Sequence, residues 1–176
     1  PGVEITVQGN LHLLAIFDTD KTTSDIDSLL GAVKYRDKRG QSDGCTELSA
    51  VEVIEEITKS GGLAIPAHVD QTNGLFTIFT GNTLEQVLDS KYIFAMEVTS
   101  PAYPKPDLYT SKNLKWAEVL GSDSHHLSGT AGQRFPGSHF TWVKMSAPSY
   151  DGLRLALIDG ALSLKRSDDF IGDPND

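Results

Sequence analysis

The residues of this chain that could do chemistry gather at the ends of apolar runs. Val119-Leu120-Gly121-Ser122-Asp123-Ser124-His125-His126 ends such a run in a small-residue turn that carries a carboxylate and an imidazole. Asp123 and His125 stand two apart, so if extended geometry continues through Gly121 both side chains point to one side. Carboxylate plus neutral imidazole suits zinc, manganese or iron(II), and such an ion needs further ligands from elsewhere in the chain. Taken alone, the same eight residues read equally well as a polar turn after a buried strand. The other imidazoles decide the matter. His12 sits among the aliphatics of Leu11-His12-Leu13-Leu14-Ala15-Ile16-Phe17, where an imidazole is hydrogen-bonded, held in one tautomer or metal-bound. His68 closes Leu63-Ala64-Ile65-Pro66-Ala67-His68, with Asp70 two residues on as its partner or as a turn residue. Glu4 lies in the first extended run. Glu97 ends another, facing either the site or a surface partner, and Arg134 is a lone cation facing an anion or solvent.

These residues need elements to position them. Val3-Glu4-Ile5-Thr6-Val7 alternates, and Gln8-Gly9-Asn10 supplies a turn, so the chain opens with two strands joined tightly. A helix is predicted from about Ser24, with Ile26, Leu29, Leu30 and Val33 at helical spacing, followed by a charged, solvated loop over residues 34–44. A second helix starts at Thr46 or Ser49, with Glu52 three after Ser49 as in a capping box, and stops at Gly61-Gly62. The strand delivering His68 follows directly, so helix and strand form one unit of an α/β fold. Sites in parallel α/β architectures gather at the carboxyl ends of strands. Residues 71–80 read as a flap or short helix, 83–88 as a short helix, 92–98 and 116–121 as strands, and 139–145 as a last alternating strand. A closing helix with Leu153, Leu155, Ala156 and Ile158 on its apolar face leads to a polar tail. Residues 1–165 are thus expected to form one domain, with 166–176 as a tail or the start of a linker.

Glu4, His12, His68, Asp123 and His125 all lie on strands or just beyond their ends, in separate units of one pattern. Independent core histidines have no reason to favour strand ends. Together the five point to a metal-centred hydrolytic site.

A net charge of −9 excludes the broad basic footprint that grips duplex nucleic acid, but not a phosphate ester held at a metal. The single cysteine, Cys45, excludes an intrachain disulfide framework, suits a cytoplasmic setting and is expected to be a buried small hydrophobe. No run approaches the length of a membrane span, which requires about 18 apolar residues. A first residue that is not Met, already inside a strand, is expected of a piece of a longer, multidomain chain.

In order along the chain, Pro1-Gly2-Val3-Glu4, Leu11-His12-Leu13-Leu14, Ala67-His68 and Gly121-Ser122-Asp123-Ser124-His125 resemble motifs of the PHP family, the polymerase and histidinol phosphatase metal-dependent phosphoesterases. The likeness spans about residues 1–162, and Phe140 to Met145 further resembles PHP modules fused to AAA-like ATPases. It implies the later part of a distorted seven-stranded β/α barrel of TIM-like form, and a phosphoesterase with two or three zinc, manganese or iron ions. Glu4 would bridge metals, with His12, His68, Asp123 and His125 as terminal ligands, Asp123 and His125 also catalytic, and Arg134 binding substrate. The substrate would be a phosphate ester, whether small, a nucleotide or a nucleic-acid end. The family's leading Asp-x-His-x-His and Thr-Asp-His segments do not occur in these 176 residues. The chain alone is therefore expected to be nearly inactive, with open sheet edges through which it could associate. The alternatives are a non-catalytic structural or regulatory PHP module of a larger ATPase, and an amidohydrolase-like metal hydrolase.

Overall fold

The fold is described from a computed structural model, which describes residues 1–41, 44–100, 102–129 and 134–168. Among the described residues, seven strands, six α-helices and a short 3-10 helix form a mixed α/β arrangement. Strands β1 (Gly2–Val7) and β2 (Leu11–Ile16) are an antiparallel hairpin in which Thr6 faces His12 and Glu4 faces Leu14. Their three-residue turn, Gln8 to Asn10, places Gly9 and Asn10 at positive φ, a region that glycine and asparagine tolerate best. β3 (Leu63–Pro66) adds antiparallel to β2, β4 (Ala95–Val98) pairs in parallel with β5 (Ala117–Leu120), and β6 (Thr141–Val143) pairs antiparallel with β7 (Leu164–Arg166).

Alternation along β1 and β2 gives the first sheet two different faces. Ile5, Val7, Leu11, Leu13 and Ala15 are fully buried against helices α1 (Thr23–Ala32), α2 (Ala50–Lys59) and α4 (Gly81–Leu88) in the larger core. Leu14 and Ile16, on the other face, meet Leu63, Ile65, Ala95 and Ala117 and the closing helix α6 (Tyr150–Asp159) in a smaller core. The same face carries Glu4 and His12 past the end of that apolar packing. α2 starts as its sequence requires: the Ser49 backbone N–H and hydroxyl donate to the Glu52 carboxylate at 2.9 and 2.6 Å.

Several expectations are revised. Among the described residues the ladders form three separate sheets rather than a closed barrel. A three-residue turn forces β1 and β2 antiparallel, and the four-residue β3 reaches β4 through the Val69 N–H to Glu97 carbonyl bond at its far end. β7 crosses residues 165/166, and Arg166 is buried and donates to the Glu118 carboxylate at 2.7 Å. Residues 169–176 lie outside the described residues. Cys45 is exposed rather than buried. On α6 the buried pair is Ala156 and Leu157, leaving Leu155 and Ile158 exposed, because the helix docks on the small residues facing Ala117. In the charged loop after α1, Arg36 pairs with Glu47 and Arg39 with Asp27, both pairs exposed.

Candidate metal centre

The carboxyl ends of β3, β4 and β5 and the amino-terminal half of β2 meet at one edge. There Glu4, His12, His68, Asp123 and His125 line a single cleft of about 220 Å³, with Gln71, Thr72 and Asn73 as its remaining wall. The five residues singled out in the sequence are therefore brought together, in two groups. Glu4, His12 and His68 form a compact cluster: their ligand atoms lie within 4.8 Å of one another, the His12 Nδ1 standing 2.8 Å from Glu4 Oε1 and 3.2 Å from His68 Nε2. Glu4 reaches His12 diagonally across the hairpin, since its direct partner is Leu14. Asp123 and His125 form the second group, His125 Nε2 at 3.4 Å from Asp123 Oδ1.

Strand alternation does not deliver that second pair, because β5 ends at Leu120 and Asp123 has φ 42°. His68, just past β3, has φ 25°. Left-handed backbone at residues other than glycine costs about 1–3 kcal/mol each and is concentrated at functional sites. Here it turns both side chains back over the strand ends. His125 is the loose member, with its side chain 76% exposed.

The cluster offers the donor set of a metal-ion site. Neutral imidazoles offer one lone pair each, and the facing nitrogens of His12 and His68 have room for one proton or one ion between them. Among the described residues, buried His68 Nδ1 has no hydrogen-bond partner, while Nε2 faces His12 Nδ1 in the cluster. The His12 hydrogen bond holds Glu4 below the ordinary carboxylate range, against the opposing effect of burial and helped by the charges of His12, His68 and His125. Glu4 is thus ionised and ready to ligate.

Two further residues shape the site. Glu97, whose sequence left it between the site and a surface partner, is buried, and its Oε2 accepts the His68 backbone N–H at 3.0 Å. A Cβ on Gly121 would fall under 3.0 Å from Glu97 Oε1, so the glycine makes room for this carboxylate. Burial pushes the Glu97 carboxyl up; the His68 N–H opposes this, and the Asp123 and Glu4 charges reinforce it. The only advance signal was a charge inside the apolar run Tyr92 to Val98. Asp70 proves to be a clamp: it accepts from the Thr99 backbone N–H at 3.0 Å, the Thr99 hydroxyl at 3.0 Å and the Ser100 N–H at 2.7 Å. Arg134, expected to bind substrate, does not line the cleft. Its guanidinium donates to the carbonyls of Gly121, Ser122 and Thr99, and its own carbonyl accepts the N–H groups of His125 and His126, so it ties the ends of β4 and β5 together. His126 itself is exposed.

A carboxyl whose pKa is higher in the folded than in the unfolded chain favours folding while protonated. The contribution of Glu97 is therefore full below the ordinary glutamate value of 4.5 and is lost as pH rises through its raised value. Glu97→Gln keeps an acceptor for His68 and removes a charge that is disfavoured at neutral pH. Metal-free, the variant is expected to melt above wild type at pH 7 by a few degrees, about 1 kcal/mol, with the gap closing toward pH 4.5. Glu4 is shifted downward, so its stabilisation is lost only as pH falls below the ordinary range, in both proteins alike. Melting curves of the two from about pH 4, in the ordinary carboxyl range, up to about pH 8 check this; a variant that melts no higher at pH 7 contradicts it.

No helix among the described residues is long and apolar enough to cross a membrane. The chain matches no family model and no curated protein. Among solved structures, its fold is similar to the lesion-specific endonuclease PfuEndoQ from Pyrococcus furiosus, with a TM-score of 0.66 at 18% identity over 93% of this chain. The chain spans 39% of the length of that protein, and the likeness places it among mixed α/β folds resembling part of that endonuclease.

Proposed function

We propose that this chain belongs to a PHP-type, metal-dependent phosphoesterase and that its substrate is a phosphodiester of nucleic acid. The observation that carries the reading is the single cleft in which the compact Glu4–His12–His68 cluster faces the Asp123–His125 pair. The order of motifs along the chain supports the family, the folded likeness to part of an endonuclease supports the substrate class, and a barrel completed by further strands is the architecture that goes with both. Glu4, His12 and His68 would hold one ion, and Asp123 and His125 would hold or share a second. Zinc, manganese or iron, when bound, polarises the phosphoryl oxygens and acidifies a water for in-line attack. The chain's own residues do the positioning. Exposed His125 stands at the solvent side of the pair, Gln71 and Thr72 wall the cleft, and Arg134 keeps the Asp123 turn in place. With a net charge of −9 and neither Lys nor Arg lining the cleft, affinity would come from the metals rather than a basic groove.

The test offers manganese or zinc with bis(p-nitrophenyl) phosphate, a short DNA oligonucleotide and a cyclic amide, to the 176-residue chain and to any longer protein that contains it. Metal binding by both, and chelator-sensitive phosphodiester cleavage by the longer protein with little by the short chain, is expected. Cyclic amide turnover, or tight metal binding without cleavage of either phosphodiester, overturns the reading in favour of an amidohydrolase or a regulatory module.

A further inference from the structure

Among the residues walling the cleft, Asn73 touches the metal cluster without having a ligand atom of its own in it. Its backbone carbonyl accepts the His12 backbone N–H at 3.1 Å, and its side-chain Nδ2 lies 3.3 Å from His12 Nε2. The residue therefore holds His12 at two points. Its loop is firm: the Gln71 N–H donates to the His68 carbonyl at 2.8 Å, the Gly74 N–H to the Gln71 carbonyl at 2.8 Å, and the Thr77 hydroxyl to the Gln71 carbonyl.

A neutral imidazole carries one proton, and its two nitrogens have opposite roles. With the amide donating to Nε2, the ring proton of His12 sits on Nδ1, where Glu4 Oε1 at 2.8 Å accepts it. That is the tautomer of a metal-free site. An ion seated between Glu4, His12 and His68 takes the Nδ1 lone pair and requires the proton on Nε2. The partner at Nε2 must then accept rather than donate. An asparagine amide can do either, by a half-turn that exchanges Oδ1 for Nδ2. Metal-ligating histidines generally donate their other N–H to such a partner, which fixes the ring and makes it a better ligand.

We infer that Asn73 is a positioning residue for the metal centre, whose side-chain amide serves both tautomers of His12, donating to Nε2 when the site is metal-free and accepting from Nε2–H when an ion is bound at Nδ1. This rests on the metal-centre reading above. It assigns to the cleft wall a role in metal affinity, separate from any contact with substrate. A carboxylate in this place accepts but cannot donate, so Asn73→Asp favours the metal-bound tautomer, whereas Asn73→Leu serves neither.

The experiment uses the whole chain with zinc or manganese alone. Affinities of wild type, Asn73→Asp and Asn73→Leu are measured by calorimetry, and nitrogen-15 spectra of the imidazoles report which His12 nitrogen carries the proton before and after metal. Asn73→Leu is expected to bind about 10 to 100-fold more weakly than wild type, and Asn73→Asp at least as tightly. The His12 proton is expected on Nδ1 without metal and on Nε2 with it, a signature that loop stability alone would not produce. Because Asn73→Asp is nearly isosteric, it keeps the test open if the leucine variant folds poorly. Wild-type binding with all three affinities within about twofold, or a His12 proton already on Nε2 in the metal-free protein, overturns the inference while leaving the metal centre standing. No metal binding by wild type overturns the metal-centre reading and the inference with it.

Discussion

Alanine in place of His12 is expected to lower the affinity for zinc or manganese by at least about a thousandfold, some 4 kcal/mol. His12 is the middle of the cluster: its Nδ1 is 2.8 Å from Glu4 and 3.2 Å from His68. Without it, two ligands remain with no third donor between them, and Glu4 loses the hydrogen bond that holds it ionised. The fold should be spared, because His12 points from β2 away from the face that buries Leu11 and Leu13 in the larger core. Any hydrolysis that depends on the metal should fall by at least the same factor. Calorimetric titration with zinc, alongside circular dichroism to confirm the fold, is the check. An affinity within tenfold of wild type would remove His12 from the centre.

Gly74→Ala is expected to have the largest effect on stability. A Cβ there would stand under 3.0 Å from the His68 carbonyl oxygen and from the Val69 carbon and oxygen, all backbone atoms that cannot rotate aside. Gly74 itself has φ −88°, an ordinary value for alanine, so the cost comes from the collision. Relieving it means moving the segment that carries His68 or the loop that carries Asn73, which breaks the cleft as well as the packing of Leu75 and Phe76 in the core. A loss of at least about 3 kcal/mol is expected, roughly 6–12 °C in melting temperature, together with loss of metal binding. Gly31→Ala in α1 is the control. Nothing lies within 4 Å of its added carbon, and the higher helix propensity of alanine should stabilise slightly, by about 0.5–1 kcal/mol. If Gly74→Ala melts within 2 °C of wild type, about the effect of 1 kcal/mol, the close approach is not what holds the loop.

The hairpin was legible in the sequence because alternation and a Gly-Asn turn are local properties, and so was α2, whose capping box and apolar stripe lie within one segment. The metal candidates were legible for a related reason: imidazoles and carboxylates that end apolar runs must be carried by strands to their edges. How those edges come together was not legible. Antiparallel addition of β3 to β2, and a β4–β5 pair held to β3 by few bonds, depend on contacts between residues far apart in the chain. The same holds for β7, three residues with no pattern of their own, ordered by pairing with β6 and by Arg166 on Glu118.

Within the site, residue type and strand position were enough to select Glu4, His12, His68, Asp123 and His125, but not to divide them into a tight cluster and a looser pair. Both groups also depend on left-handed backbone, at His68 in the cluster and at Asp123 in the pair, which no alternation rule anticipates. Arg134 shows the limit most clearly: one cation in a glycine-rich stretch looks free in a sequence, and its use became visible only when three carbonyls from two strand ends were found converging on it. Which way Glu97 faces, and any role for Asn73, were hidden for the same reason. A carboxylate or an amide has no fixed role of its own; its role is set by the donor or acceptor that folding brings within about 3 Å, and hydrogen bonding is too short-ranged to be read from the order of residues in a chain.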